Sequence, residues 1–237
     1  MKILGIDSSS LVASVAVVED NNLLGEYTIN YKKTHSQTLL PMIDEVARMI
    51  ELDLTTLDAI AVSAGPGSFT GLRIGSATAK GLGMALDKII IPVPTVDALA
   101  YNMWGTDMQI CPLMDARRQQ AYTGLYEFTN GELVVIEKQD IIEIPQIVDR
   151  INASGRNTVF VGDGIATFRP YIEEHCTVSF CFAPANNNKN RASSVACLGR
   201  KLYQKGIQET AEEHRPDYLK PSQAERELEG KAKDFTI

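Results

Sequence analysis

The sequence predicts an α/β fold made of one βββαβα unit present twice. Three observations carry that expectation. The first third reads as three strands followed by alternating helix and strand, the pattern of a mixed sheet with helices packed on it. An apolar strand ending in aspartate, Ile3-Leu4-Gly5-Ile6-Asp7, recurs at an offset of 108 as Cys111-Pro112-Leu113-Met114-Asp115. A buried strand running into a glycine turn at residues 59–65 recurs at residues 158–164. Aligned without a gap, residues 15–18 fall on residues 123–126. The boundary is expected near residues 105–108. This gives a first domain over 1–106, a second over 107–222 and a charged tail over 223–237.

Each element has a local reason. Residues 2–6 are a short apolar strand ending at Asp7, and residues 11–18, rich in Val and Ala, form a second. Asp20-Asn21-Asn22 supplies a turn into a third strand over residues 23–31, an antiparallel meander. Ser36 is the expected cap of a helix whose Leu39, Leu40, Ile43, Val46, Ala47 and Ile50 follow at helical spacing, with Pro41 tolerated near its start. Residues 57–64 read as a buried strand, Gly65-Pro66-Gly67 as a turn, and residues 69–86 as a helix. A strand over 89–93 and a helix over 96–104 follow, with a late helix over 193–205.

Composition excludes several classes. The chain of 237 residues has 23 Lys+Arg against 30 Asp+Glu and a net charge of −7, which argues against gripping nucleic acid by bulk charge. The local patch Lys189, Arg191, Arg200 and Lys201 is the candidate for RNA contact. No apolar run approaches the roughly 18–20 residues that span a bilayer. The N-terminus lacks the features of a signal peptide. Four cysteines without a CxxC pair fit a cytoplasmic chain with free thiols better than a disulfide scaffold or zinc site.

Two Asp-ended strands suggest a cleft between the halves. There Asp7-Ser8-Ser9-Ser10 and Asp115-Ala116-Arg117-Arg118 serve either as plain turns or as approaches to a metal-bound phosphate. Arg117 and Arg118 are either phosphate partners or solvated surface. The segment from Gly65 to Gly75 joins a buried strand to a helix, so its free N–H groups could hold an anion. It has neither the lysine of a Walker loop nor the third glycine of GxGxxG. In the helix it opens, Gly71, Gly75, Ala79 and Gly83 recur every fourth residue. Each glycine inside a helix costs about 0.5–1 kcal/mol relative to alanine, so a bare face needs a close neighbour. That neighbour is either the chain's own sheet or a helix of a partner. No His pair at metal-ligating spacing exists, since the residue four after His35 is Leu39. His35 reads as a hydrogen-bonded turn residue, Cys111 as a core thiol. No GxSxG elbow is present, and Ser68 has no base nearby in sequence.

These residues resemble the TsaB (YeaZ-type) family. The match is carried by Ala64-Gly65-Pro66-Gly67-Ser68-Phe69-Thr70-Gly71-Leu72-Arg73-Ile74-Gly75. Ala79-Lys80-Gly81-Leu82 follows it, and supporting segments are Leu4-Gly5-Ile6-Asp7-Ser8-Ser9, Thr34-His35-Ser36-Gln37-Thr38-Leu39-Leu40-Pro41, Met114-Asp115-Ala116-Arg117-Arg118, Gly162-Asp163-Gly164 and Pro216-Asp217-Tyr218-Leu219. Gln120-Ala121 and Lys220 depart from the usual Glu-Val and Arg. The resemblance implies an actin-like, sugar-kinase-like fold of two RNase H-like halves. It also implies a role in forming N6-threonylcarbamoyladenosine beside the tRNA anticodon, without independent catalysis and without a metal of its own. The implied partners are the catalytic paralogue TsaD, which carries the metal-binding His pair, and the ATPase TsaE, with a homodimer through the same surface. ATP or ADP is expected only at a shared subunit interface, and tRNA only through the complex. The implied pairing surface lies on the two helices of the first half, at Leu39, Ile43, Val46, Gly71, Ile74, Gly75, Thr78, Ala79, Leu82 and Gly83. Vestigial phosphate contacts are expected at Asp7, Ser8, Ser9, Gly65, Gly67 and Ser68. A small-molecule kinase using Asp7 and the glycine turns is the alternative.

Overall fold

The computed structural model describes residues 1–31 and 34–220; the expected tail over 223–237 lies outside the described residues. The first half forms β1 (Lys2–Asp7), β2 (Val12–Glu19), β3 (Asn22–Asn30), α1 (His35–Met49), β4 (Ala59–Gly65), α2 (Phe69–Leu86), β5 (Ile89–Pro94) and α3 (Thr95–Tyr101). The second forms β6 (Gln109–Asp115), β7 (Gln120–Thr129), β8 (Glu132–Glu143), α4 (Ile144–Ser154), β9 (Thr158–Val161), α5 (Ile165–His175), β10 (Phe180–Phe182) and α6 (Ala192–Gln204). The repeated βββαβα is thus extended in each half by a further strand and helix.

Two five-stranded sheets share one topology, β3-β2-β1-β4-β5 and β8-β7-β6-β9-β10. In each, the first three strands pair antiparallel and the later ones parallel. The gapless alignment of the halves is out by one residue beyond the first turn. Asp7 pairs with Ser14, whereas Asp115 pairs with Ala121, so the second hairpin is one residue shorter. The equivalent of Val15 is therefore Tyr122, not Thr123. In a strand, such a slip exchanges the two faces.

Local chemistry accounts for the boundaries. α2 starts where Ser68 accepts a hydrogen bond from the Gly71 N–H (3.3 Å), and it ends at Asp87 in the left-handed region. α1 starts at Thr34, whose side chain makes no capping bond; Ser36, the expected cap, lies inside the first turn.

The final helices are exchanged between the halves. α1 and α2 cover one face of the first sheet, with Leu39, Met42, Ile43 and Val46 against Leu4, Ile6, Val15 and Val17. Its other face is covered by α6, whose Val195, Ala196 and Leu198 meet Ile3, Ala59, Ala61, Ile91 and Val93. Reciprocally, α3 places Val96, Leu99 and Ala100 against Ile110, Met114, Tyr126 and Val161 of the second sheet, whose opposite face carries α4 and α5. By packing, α6, which falls within the expected second domain over 107–222, covers the first sheet, and the segment after it runs from the first lobe to the second.

Candidate functional site

The end of β1 sets the site. Asp7 is wholly buried, and its carboxylate is taken on both oxygens. Oδ1 accepts from the Ser9 N–H (2.9 Å) and Ser9 Oγ (2.7 Å), and Oδ2 from Ser63 Oγ (2.5 Å) and Asn190 Nδ2 (3.4 Å). Burial pushes its pKa above the ordinary carboxylate value, against the pull of the hydrogen bonds from Ser63, Ser9 and Asn190. Ser8 Oγ donates to the Gly71 carbonyl (2.8 Å), and the Ser68 N–H donates to the Ser9 carbonyl (2.7 Å).

The glycines are explained by the same turn. A Cβ added to Gly71 or Gly75 would run into Ser8, one on Gly67 into Ser9, and one on Gly65 into the Asp217 carbonyl. The cradle that the glycine segment opens is therefore filled by the chain itself. Asp7 has no free edge for a metal-bound phosphate, so the residues do not fit a magnesium nucleotide held at this point. The kinase reading loses its proposed acid. Of the expected phosphate contacts, Ser9, Gly67 and Ser68 reach the interlobe cleft, while Asp7, Ser8 and Gly65 are turned inward.

That cleft has a volume of about 850 Å³. The first lobe contributes Ser9, Ser10, Leu11, His35 and the start of α2; the second contributes Asp115, Arg117, Arg118, Tyr122 and Asp163. Tyr218, Leu219 and Lys220 of the C-terminal segment complete it. The second Asp-turn differs from the first. Asp115 accepts from the Arg117 N–H (2.7 Å) and Thr167 Oγ1 (3.3 Å). Arg117, Arg118 and Gln119 follow with φ of 68°, 54° and 62°, a left-handed run that holds both arginines out at the surface. Asp163 accepts from the Asp115 N–H (3.3 Å), and burial raises its pKa. His35 Nε2 meets the Ser10 carbonyl at 2.8 Å, so the ring is hydrogen-bonded as expected, although His35 opens α1 rather than lying in a turn. Among the described residues, no three His, Cys, Asp or Glu side chains group to hold a metal ion.

Most of the expected pairing residues pack within the chain itself. Leu39, Ile43, Val46, Gly71, Gly75, Ala79 and Gly83 are buried inside the chain's own first lobe. Ile74 and Leu82 are half-buried against the same core, and Thr78 is half-buried. The bare face of α2 receives Ser8, Lys88, Ile90 and Ala211 of the same chain. What α1 and α2 leave open is another face, with Leu40, Met49, Ala77, Gly81 and Met84 exposed. A Cβ added to Gly81 meets nothing within 4 Å.

Three of the four basic residues expected to contact RNA are already engaged. Arg191 pairs with Glu26, Lys201 with Glu132, and Arg200 donates to Asn21 Oδ1 (2.7 Å). Two features escaped the sequence reading. A Ser76–His214–Glu209 chain unites residues remote in sequence, and the segment around Tyr218 walls the cleft. The match at Pro216–Leu219 was the only signal for the latter.

Comparison with known proteins agrees with this geometry. A family profile described as "TsaD: tRNA N6-adenosine threonylcarbamoyltransferase" matches residues 22–228. The Bacillus subtilis "tRNA threonylcarbamoyladenosine biosynthesis protein TsaB" is 32% identical over 95% of this chain and 96% of its own length. The chain belongs to the TsaB family. The Escherichia coli TsaB is 27% identical over 98% of this chain and 100% of its own length. The solved structure "YeaZ from Pseudomonas aeruginosa" superposes with a TM-score of 0.75 at 25% identity, covering 92% of this chain and 99% of that one. The fold, two five-stranded sheets of one strand order, is the one that structure has. Among the described residues, no helix is long and apolar enough to cross a membrane.

Proposed function

We propose that this chain is a non-catalytic subunit in forming N6-threonylcarbamoyladenosine in tRNA, supporting a TsaD-type catalytic paralogue together with a TsaE-type ATPase. One observation carries the reading. A chain that aligns end to end with TsaB relatives has the phosphate end of its cleft closed by its own Ser8–Ser9 turn, with Asp7 spent on internal hydrogen bonds. Nucleotide then belongs to a surface shared with the partner rather than to Asp7, and tRNA is reached through the complex. The docking surface is the open face of α1 and α2. Its Ala77 and Gly81 allow another backbone close approach, and its Leu40 and Met84 supply apolar area. The same face would serve a homodimer.

The test is reconstitution of the full chain with a TsaD-type and a TsaE-type protein, followed by gel filtration and a tRNA modification assay. Ala77→Arg and Gly81→Arg are expected to abolish co-elution and modification without lowering thermal stability. Unchanged co-elution in both variants would sink the docking assignment. Titration of the full chain alone with Mg-ATP, together with a phosphate-release assay, separates this reading from the kinase. Turnover lost in Asp7→Ala would favour the kinase.

A further inference from the structure

Residues 207–220 leave α6, run back along the flank of α2 and cross to the second lobe. Glu209 and Ile90 exchange backbone hydrogen bonds of 2.9 Å at the edge of the first sheet. Lys80 Nζ donates to the carbonyls of Glu212 and His214, both at 3.1 Å. His214 is wholly buried between Ser76 Oγ, 2.8 Å from Nε2, and Glu209 Oε1, 2.5 Å from Nδ1. The Asp217 N–H donates to the Ala64 carbonyl (2.7 Å). At the far end, Lys220 Nζ donates to the Ala116 carbonyl (2.8 Å) and Gln120 Oε1 (3.0 Å), clamping the turn that carries Arg117 and Arg118.

The Ser–His–Glu connectivity is that of a hydrolytic triad. Ser76 and His214 are both buried, however, and neither lines the cleft, so substrate has no route to the hydroxyl. The arrangement is a fastening. With Glu209 accepting at Nδ1, Nε2 faces the Ser76 hydroxyl, which can either donate or accept.

We propose that residues 207–220 are a tie that transmits displacement of α2 to the turn at residues 116–120 and so sets the width of the interlobe cleft. One end grips α2 at Ser76 and Lys80. The other holds the second lobe's Arg-bearing turn, and Tyr218 and Leu219 between them form cleft wall. That a docked partner acts on the cleft by this route rests on the docking reading above; the tie itself does not.

The test is amide hydrogen exchange by NMR on the full chain, comparing Ser76→Ala, Lys220→Met and the double variant. Ser76→Ala is expected to speed exchange about tenfold at Glu209 and Asp217, and by a similar factor at Ala116 and Gln120 across the cleft. In the Lys220→Met background the latter two amides are already fast, and Ser76→Ala adds nothing there. The proposal is overturned if Ser76→Ala leaves Ala116 and Gln120 unchanged, or if the two substitutions multiply at those amides. Should Ser76→Ala unfold the chain, Lys80→Met, which removes two carbonyl contacts from the tie, is read by the same two outcomes. Failure of the docking reading shows separately, as retained co-elution in the Ala77 and Gly81 variants.

Discussion

Asp7 is the residue on which the chemistry of the cleft turns. Its carboxylate ties β1, β4 and the approach to α6 into one buried node. Replacing it with alanine removes the acceptor of the Ser63 hydroxyl and of the Ser9 N–H. The expected cost is about 1–3 kcal/mol, seen as a lower midpoint in urea with an unchanged slope. A residue kept for phosphate chemistry would instead be lost with little effect on stability. Glu26 shows the opposite electrostatics. Burial alone would raise its pKa, but hydrogen bonds from Arg191 and Ser193, together with the charge of Arg191, hold it below the ordinary carboxylate value. A depressed native pKa contributes stability above the unfolded value and loses it as pH falls through the native one. Wild type is therefore expected to exceed Glu26→Gln by about 1–3 kcal/mol at neutral pH. That gap should shrink as pH falls through the acid range, in denaturant melts at pH 7, 5 and 3.

At the scale of the element, α2 holds two kinds of glycine that the sequence cannot tell apart. Gly71 faces the Ser8 carbonyl, and a methyl group there must displace β1's turn, so Gly71→Ala is expected to destabilise by about 1–3 kcal/mol. Gly81 faces open space, and Gly81→Ala is expected to stabilise by about 0.5–1 kcal/mol, since only the helix-propensity term changes. Paired thermal melts of the two variants should move in opposite directions. The four-residue spacing of Gly71, Gly75, Ala79 and Gly83 was legible, and it correctly demanded a close neighbour. Periodicity reports that a face is bare, not what it meets, so the choice between own sheet and partner needed coordinates. The strands and helices from β1 to α3 were legible for a simpler reason: their apolar runs and their Gly, Asp and Asn boundaries act within a few residues. The one-residue difference between the hairpins was not, because pairing register is fixed across strands and leaves no local mark.

The whole molecule is held by contacts distant in sequence, and the exchange of α3 and α6 is the largest of them. Local pattern places both helices correctly but assigns each to the wrong sheet, since nothing near Val195 or Leu99 names the surface it will meet. The exchange makes each lobe's core incomplete without the other. A fragment ending at residue 106 lacks α6, leaving Ile3, Ala59, Ala61, Ile91 and Val93 open to water on one face of the sheet. Its own α3 would be left with no second sheet to cover. Each fully buried Val, Ile or Leu contributes about 1.5–3 kcal/mol, so the loss is on the order of 10 kcal/mol. That is comparable to the 5–15 kcal/mol that holds a typical domain folded. The fragment is therefore expected to lack near-ultraviolet circular dichroism and to bind a hydrophobic dye, as a loosely packed state does. Mixing it with a fragment spanning residues 107–237 should restore the near-ultraviolet signal and a cooperative melt. A first-half fragment that unfolded cooperatively by itself would show that the exchanged helix adds little, and that the two lobes are independent domains after all.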